Sequence, residues 1–311
     1  MIDAITLSPG QTATEPGLYR MTAEQYFADP CPTPSLSSST IRRMLQWTPA
    51  HAAAFHPRIG GQSDGVESTA QMTFGTVVHA LVLGVGRAIR VIDARDWRTK
   101  AAQTARDEAE ALGLTPILAH QYARAEAMAS AIKAGIRQTE FAGMLETHQP
   151  ELVAIWFEDG VWCRAMMDLA PVSQDRVGYW TIGDLKTTEL PLREQDLARK
   201  VASEGGDIQD AFYVRGMEHL TGGRARFVRL FAESSPPFMV RAALASGEMR
   251  TTGEQKVMAG LAIWRRCLQT GHWPGYNDAT MRLQAVAWQE SAWADREASD
   301  PLIVGALKGE W

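Results

Sequence analysis

Cysteine, long apolar runs and excess positive charge are all scarce in this sequence. The three cysteines, Cys31, Cys163 and Cys267, lie far apart and form no CxxC pair, which argues against a zinc site and a disulfide framework. No run of about 18 or more uncharged apolar residues occurs, so we expect no membrane span. Residues 1–20 lack a basic start followed by an apolar stretch, so we expect no secretory signal and a reducing cytoplasm as the simplest setting.

The net charge of −5 excludes a strongly basic chain. Proteins that hold nucleic acid by its phosphates usually carry a basic excess, so this charge disfavours a passive nucleic-acid-binding module. A metal-dependent enzyme that acts on phosphodiesters needs carboxylates instead, and a local basic patch can supply its contact. The charge therefore lowers the expectation of a passive binding module more than that of an enzyme.

The composition that remains is ordinary for a globular protein, with 45% hydrophobic and 22% charged residues. The first part of the chain predicts an extended arm, a loop and helices; the helices are expected at 22–28, 37–46, 72–83, 100–112 and 119–138, and the loop at 56–68. After Pro150 the pattern predicts strands at 151–158, 161–170, 179–187, 226–232 and 238–243, and helices at 194–203, 207–220 and 247–270. This order of elements indicates an α/β or α+β domain.

Two acidic residues and a lysine stand near the ends of two successive predicted strands. Asp168 is near the end of one strand, and Asp184 and Lys186 are near the end of the next. Alternate side chains of a strand share a face, so Asp184 and Lys186 point the same way, and Asp168 converges on them if the strands are neighbours. With the backbone carbonyl of Leu185, the carboxylates form an oxygen site suited to Mg²⁺ or Mn²⁺. The lysine could position a water or stabilise charge on a phosphoryl group.

A single D-x-K tripeptide is weak evidence, because a strand end with solvated charges gives the same pattern. Three further features change the balance. Glu151 opens the strand that pairs with the one carrying Asp168, and could orient a water, although a solvated strand start explains it equally well. Gln209 and Tyr213 share one helix face, as many half-buried pairs do. His79 lies on an apolar helix, where a hydrogen-bonded core histidine is the usual explanation and a metal ligand the alternative.

Basic residues close in sequence to these segments are candidates for contacts to DNA phosphates. Each of them is also explained as a solvated surface charge. The candidates are Arg193, Arg199, Lys200, Arg224 and Arg226.

The order of these motifs resembles a known nuclease family. Gly-x-x-x-His on a helix, Glu, Asp, Asp-x-Lys and then Gln-x-x-x-Tyr is the series of RecB-type nucleases in the PD-(D/E)xK superfamily. Within it, the chain is most similar to the RecE-like nuclease domains of the exonuclease VIII type. The similar segments are Gly17-Leu18-Tyr19, Leu36-Ser37-Ser38-Ser39, Phe74-Gly75-Thr76-Val77-Val78-His79, Asp184-Leu185-Lys186-Thr187-Thr188 and Ile208-Gln209-Asp210-Ala211-Phe212-Tyr213, and the likeness ends near Trp273-Pro274.

The resemblance implies a fold and a division of the chain. The fold would be a restriction-endonuclease-like α/β core, with a central mixed β-sheet flanked by helices and with N-terminal helical additions. Residues 1–70 would form an arm and short helices packed on the core, residues 71–290 the nuclease core, and residues 291–311 a C-terminal tail.

The resemblance also implies an activity and a set of partners. The protein would be a Mg²⁺-dependent exonuclease, with Mn²⁺ able to substitute, that degrades linear double-stranded DNA from 5′ to 3′ without ATP in a bacterial or phage-infected cell. Its single-stranded product would feed a partner annealing protein, and the enzyme would be a homo-oligomeric ring, expected to be a tetramer.

The resemblance assigns roles to the individual site residues. Asp168 and Asp184 would bind the metal, and Lys186 would activate water or stabilise charge. Glu151 would assist at the metal and water, and His79 would lie beside the metals. A final pair, Gln209 and Tyr213, would support the lysine and the DNA.

The sequence departs from the family pattern in three places. Met167 stands where the namesake motif has proline, a substitution frequent among relatives, and residues 59–68 and those after 277 match poorly. Two other functions stay open: a catalytically inactive nuclease-like protein that binds DNA or assembles, and an endonuclease of the same superfamily.

Overall fold

A mixed seven-stranded β-sheet organises the larger part of the protein. The structure is a computed structural model that describes residues 2–62, 70–277 and 280–309. Its strands are β1 (Ile5–Thr6), β2 (Gly17–Arg20), β3 (Ile89–Ile92), β4 (Thr115–Leu118), β5 (Gln149–Glu158), β6 (Val161–Ala170), β7 (Trp180–Thr188), β8 (Ala225–Glu233) and β9 (Val240–Leu244). Its helices are α1 (Ala23–Phe27), α2 (Ser38–Gln46), α3 (Pro49–Phe55), α4 (Ala70–Leu83), α5 (Lys100–Ala111), α6 (Ala119–Ile136), α7 (Met144–Thr147), α8 (Glu194–Ser203), α9 (Gly206–Thr221), α10 (Gly247–Thr270), α11 (Ala287–Ser299) and α12 (Pro301–Lys308).

The sheet has the strand order β1-β2-β5-β6-β7-β8-β9. The strands β5, β6 and β7 form an antiparallel meander, whereas β7 and β8 run parallel and are joined by α8 and α9. The expected mixed sheet flanked by helices is therefore confirmed. A crossover through helices is the usual way to join parallel strands, and it places the N-terminus of α9 near the carboxyl end of β7.

Apolar residues cover both faces of the central strands. On one face, α9, α10 and α2 pack over a core that includes Trp156, Phe212 and Trp264. On the other face, α4 and α6 pack over a second core that includes Met128 and Leu230. Because both faces are covered, β7 is an almost continuously buried strand, and Asp184 lies in its buried part.

Several short elements were not expected from the sequence. The arm contains β1 and β2, which add to the edge of the sheet beside β5. A separate two-stranded parallel sheet joins β3 and β4. The helices α3 and α7 were also not predicted, and the part of the predicted 56–68 loop from 63 to 68 lies outside the described residues.

The chain divides into two compact units, residues 1–275 and residues 276–311. The first unit contains the sheet together with the N-terminal arm, and the second contains α11 and α12, which pack on each other. The domain boundaries expected at 70 and 290 stay predictions. Among the described helices, none is both long and apolar enough to cross a membrane.

Candidate active site

Asp168 and Asp184 meet where β6 and β7 begin to separate. The two strands pair at Leu169 and Gly183, so continuing the antiparallel register brings residue 168 opposite residue 184. Beyond that pair, the backbone N–H of Leu185 donates to Oδ2 of Asp168 at 2.8 Å. Both carboxylates line one cavity of about 550 Å³, together with Lys186. The geometric expectation that they share one face is met.

A glycine allows the two strands to approach at this point. A Cβ on Gly183 would lie 2.6 Å from Cε of Met144 and 3.0 Å from Cβ of Leu169. Any side chain would therefore push β7 away from its neighbours and shift Asp184. The glycine before Asp184 is consequently part of how the site is positioned.

Asp184 is almost completely buried, at 3% exposure, and its two oxygens have different surroundings. Its Oδ1 accepts hydrogen bonds from Nζ of Lys186 at 3.1 Å and from Nε2 of Gln209 at 2.9 Å. Its Oδ2 is buried without a hydrogen-bond partner. A buried carboxylate oxygen without a partner lowers the stability of the fold. A ligand that binds this atom would therefore be favourable.

The charges of the site shift the pKa of Asp168 and of Lys186. Burial raises the pKa of the Asp168 carboxyl, and the nearby charge of Asp184 raises it further. Burial of the Lys186 ammonium opposes its charged form, but the attraction of Asp184 and Asp168 prevails and raises the pKa of Lys186. A cluster of two carboxylates in a cleft is typical of functional sites.

Gln209 and Tyr213 lie on α9 and reach the same cavity. The structure places Gln209 on Asp184 rather than on the lysine that the resemblance suggested. Burial raises the pKa of Tyr213 well above its ordinary value, with Tyr26 and the two carboxylates adding to it and a hydrogen bond with Gln209 opposing it. The tyrosine hydroxyl thus lies close to the acidic pair.

Glu151 and His79 line a second cavity, which Lys186 also lines. The register of β5 and β6 places residue 151 opposite Asp168. The two strands pair at residues 150 and 152 of β5, but residue 151 itself is left out of the pairing. At Glu151 the backbone leaves the ladder with a φ of 52°, which is unusual for a non-glycine residue. Burial raises the pKa of the Glu151 carboxyl, and the charge of Asp168 adds to this effect.

His79 approaches the site from α4. Its Nδ1 lies 3.8 Å from Oδ2 of Asp168, too far for a hydrogen bond. The helix packs against β7, where a Cβ on Gly75 would lie 3.7 Å from Oγ1 of Thr187. The helix that carries His79 therefore lies beside the strands of the site, and ligation of a metal by His79 stays a prediction.

The oxygen atoms of the site fit a divalent cation. Within the described residues, no group of three or more His, Cys, Asp or Glu side chains is arranged to hold a metal ion. The donors would be Asp168, Asp184 and the carbonyl of Leu185. Because the N–H and C=O of a strand residue face the same neighbour, the contact between the Leu185 N–H and Asp168 places its carbonyl in the same gap. Such oxygens, one of them unpartnered, suit a hard cation.

Five basic residues were candidates for DNA contacts, and none of them is among the residues that line the cavity of the carboxylates. Arg226 pairs with Asp175 at 2.8 Å, and Lys200 pairs with Glu204 at 2.6 Å. Arg224 hydrogen-bonds the hydroxyl of Tyr179. Arg193 and Arg199 are exposed. Their contacts to DNA stay predictions.

The cavity instead contains residues that sequence reasoning did not assign to it. Ser38 and Ser39 reach it from the start of α2, a segment that the sequence predicts as a helix but to which it assigns no site residue. The guanidinium of Arg229 is buried between Asp210 and the carbonyl of Gly206, beside Asp184 in the parallel register. The remaining unassigned lining residues include Tyr26, Phe27, Arg42, Met166, Val201, Glu204, Gly205 and Phe231.

Comparisons with known proteins identify the family of the chain and its fold. A family model described as "PDDEXK-like domain of unknown function (DUF3799)" matches residues 37–306. No curated protein matches the sequence. A crystal structure of a protein from Eubacterium rectale, described as "Putative exonuclease", aligns with a TM-score of 0.54 over 88% of this chain and 98% of that chain, at 14% identity. At this identity the likeness concerns the fold alone, and it confirms the restriction-endonuclease-like architecture.

Proposed function

We propose that this protein is a nuclease, because the chain belongs to the family of PDDEXK-like domains. This membership confirms the expected PD-(D/E)xK superfamily. Nucleases of this kind generally depend on a divalent metal ion. The more specific proposal is a Mg²⁺-dependent exonuclease that hydrolyses the phosphodiester bonds of linear double-stranded DNA from 5′ to 3′. The observation that carries it is the convergence of Asp168, Asp184 and Lys186 on one open cavity.

The residues of the cavity divide the work between them. Asp168, Asp184 and the carbonyl of Leu185 would hold Mg²⁺, which would neutralise charge on the phosphodiester and polarise an attacking water. Gln209 fixes the orientation of Asp184 by donating to its Oδ1. Lys186 uses one of its three donors on the same oxygen, so others are available to a phosphate oxygen or a water.

Two residues at the second cavity support this arrangement. Glu151 brings a third carboxylate into the site, and burial, with the nearby charge of Asp168 adding to it, raises the pKa of this carboxyl. In this position it would accept a hydrogen bond from a water that lies between the two cavities. His79 is on the same side and would contact Asp168 or the cation.

The activity is tested with linear and closed circular plasmid DNA. Purified protein with Mg²⁺ should shorten linear DNA and leave closed circles intact, and EDTA should stop the reaction. Cleavage of closed circles would favour an endonuclease, and DNA binding without cleavage would favour an inactive nuclease-like protein. Duplexes that carry a label at only one 5′ end or only one 3′ end test the polarity. A 5′-to-3′ exonuclease should release the 5′ label as mononucleotide at the earliest times and the 3′ label later.

The proposed assembly and partners follow from the resemblance. We infer that the protein forms a homo-oligomeric ring, with four chains of 34.2 kDa each, and that a single-strand annealing protein uses its product. Light scattering would measure the mass in solution. A monomer that degrades DNA with full processivity would contradict the ring.

A further inference from the structure

The side chain of Phe27 is exposed at the catalytic cavity. Its exposure is 66%, although it is one of the residues that line the cavity with Asp168 and Lys186. Phenylalanine exposes a large apolar ring at this position, while the acidic groups lie deeper. The cavity therefore combines ion-binding groups with an uncovered aromatic ring.

Exposed aromatic rings are common, and most need no functional explanation. Phe157 illustrates this case, because it is 49% exposed on β5, rests against Trp162 and is absent from the lining of the catalytic cavity. Phe27 differs in its position beside the acidic pair.

Phe27 is also held in place by its neighbours. The adjacent Tyr26 packs against the same apolar cluster as Met166, two residues before Asp168, and the centre of its ring lies 5.3 Å from the guanidinium carbon of Arg164. A capping box between Thr22 and Gln25 closes the start of α1. The short helix is thus attached to the strand that carries a catalytic carboxylate, and Phe27 has a defined place relative to it.

We propose that the ring of Phe27 is a stacking platform for a nucleobase of the strand being cut. This inference rests on the proposed function. An aromatic ring stacks on any base, because every base has an apolar face, and Phe has no hydrogen-bonding group that would select one base. The ligand is therefore an unpaired base next to the phosphate at Asp168, Asp184 and Lys186, at the frayed end of a duplex, without sequence preference.

The test uses duplexes with the fluorescent base 2-aminopurine placed singly at each of the last few positions of one strand. Full-length protein is added with Ca²⁺ in place of Mg²⁺, so that binding is measured without turnover, and cleavage is measured separately with Mg²⁺. The variants are Phe27→Ala, Phe27→Leu and Phe27→Trp. Phe157→Ala is the matched control, since it removes an exposed phenylalanine elsewhere.

Wild-type protein and Phe157→Ala should quench 2-aminopurine at one position near the end. Phe27→Ala and Phe27→Leu should lose that quenching and bind DNA roughly 5- to 100-fold more weakly, whereas Phe27→Trp should retain both. Unchanged quenching in Phe27→Leu, or no quenching by a wild-type protein that cleaves DNA, overturns the platform and leaves the nuclease intact. A wild-type protein that neither binds nor cleaves DNA overturns both.

Discussion

Two polar clusters each include one residue of β6, Arg164 in the first and Asp168 in the second. They differ in how completely the hydrogen-bonding atoms of their carboxylates have partners. The first, called the Asp29 cluster, consists of Asp29, Ser35, His56 and Arg164, all at most 4% exposed. Both oxygens of Asp29 have partners: Oδ1 accepts from the Ser35 hydroxyl at 2.7 Å and pairs with Arg164 at 3.1 Å, and Oδ2 accepts from the Ser35 N–H at 2.9 Å.

The second, called the Asp184 cluster, consists of Asp168, Asp184, Lys186 and Gln209. It opens into a cavity and leaves Oδ2 of Asp184 without a partner. The Asp29 cluster also leaves one atom unpartnered, Nε of Arg164, but its carboxylate is saturated. A carboxylate whose two oxygens both have partners, such as Asp29, connects the arm to the sheet. A carboxylate with an unpartnered oxygen in a cavity, such as Asp184, can bind a ligand.

The largest effect that separates the clusters should come from Asp29→Ala. This change leaves Arg164 buried without its carboxylate, and we expect a loss of about 3–5 kcal/mol in the free energy of unfolding. Urea denaturation measures it. Glu24→Ala, which breaks the exposed ion pair between α1 and Arg87, is the control and should cost about 0–1 kcal/mol. Equal losses in the two variants would show that the Asp29 cluster contributes no special stability.

Lys186→Ala should reduce DNA cleavage and leave the stability of the fold nearly unchanged. We expect the cleavage rate of linear DNA to fall about 10²- to 10³-fold, as when a charge-stabilising donor is removed, with little change in the urea midpoint. Lys100→Ala, at an exposed lysine at the start of α5, should cleave at the wild-type rate. Full activity in Lys186→Ala would remove the lysine from the mechanism.

The unpartnered oxygen of Asp184 predicts that a divalent cation stabilises the fold. At Mg²⁺ concentrations well above its dissociation constant, the free energy of unfolding should rise by about 1–3 kcal/mol. Asp184→Ala should abolish this increase, whereas Asp29→Asn should retain it because the Asp29 cluster offers no open position. Thermal unfolding with Mg²⁺ and with EDTA provides the measurement. An equal increase in Asp184→Ala would place the cation elsewhere.

The smallest expected effect is the pH dependence of the Asp29 cluster. Burial lowers the pKa of His56 below its ordinary value of 6.5, although Asp29 opposes the shift. The unfolded chain then binds a proton that the folded chain does not, so the stability from this group is fully present above pH 6.5 and is lost as the pH falls from there through the folded pKa. His56→Gln should flatten the curve of unfolding free energy between pH 5 and 7. A variant with the wild-type slope would assign it to other groups.

Most of the long elements could be predicted from the sequence, because their apolar periodicity agrees with their environment. The strands β5 to β8 and the helices α4, α6, α9 and α10 were located to within a few residues. Short elements were missed where local and tertiary preferences disagree. Pro116 lies within β4, where proline normally argues against a strand, but the pairing involves only one neighbour, β3.

The candidate site was predictable where it lies on one strand or helix. Alternation along β7 placed Asp184 and Lys186 on one face, and the spacing of Gln209 and Tyr213 did the same on α9. The contributions of Phe27, Arg42 and Arg229 were not predictable, because they depend on contacts between segments far apart in sequence. Proximity in sequence to the motif pointed instead to basic residues such as Arg226, which is paired with Asp175.

The left-handed backbone at Glu151 has a consequence for how the protein could be stabilised. A non-glycine residue in this conformation carries a strain of about 1–3 kcal/mol, and this residue lies opposite Asp168 in the register of β5 and β6. Glycine would adopt the same φ without strain but would remove the carboxylate. A selection for thermostability should therefore enrich Glu151→Gly. We expect this variant to have a higher free energy of unfolding and a lower rate of DNA cleavage.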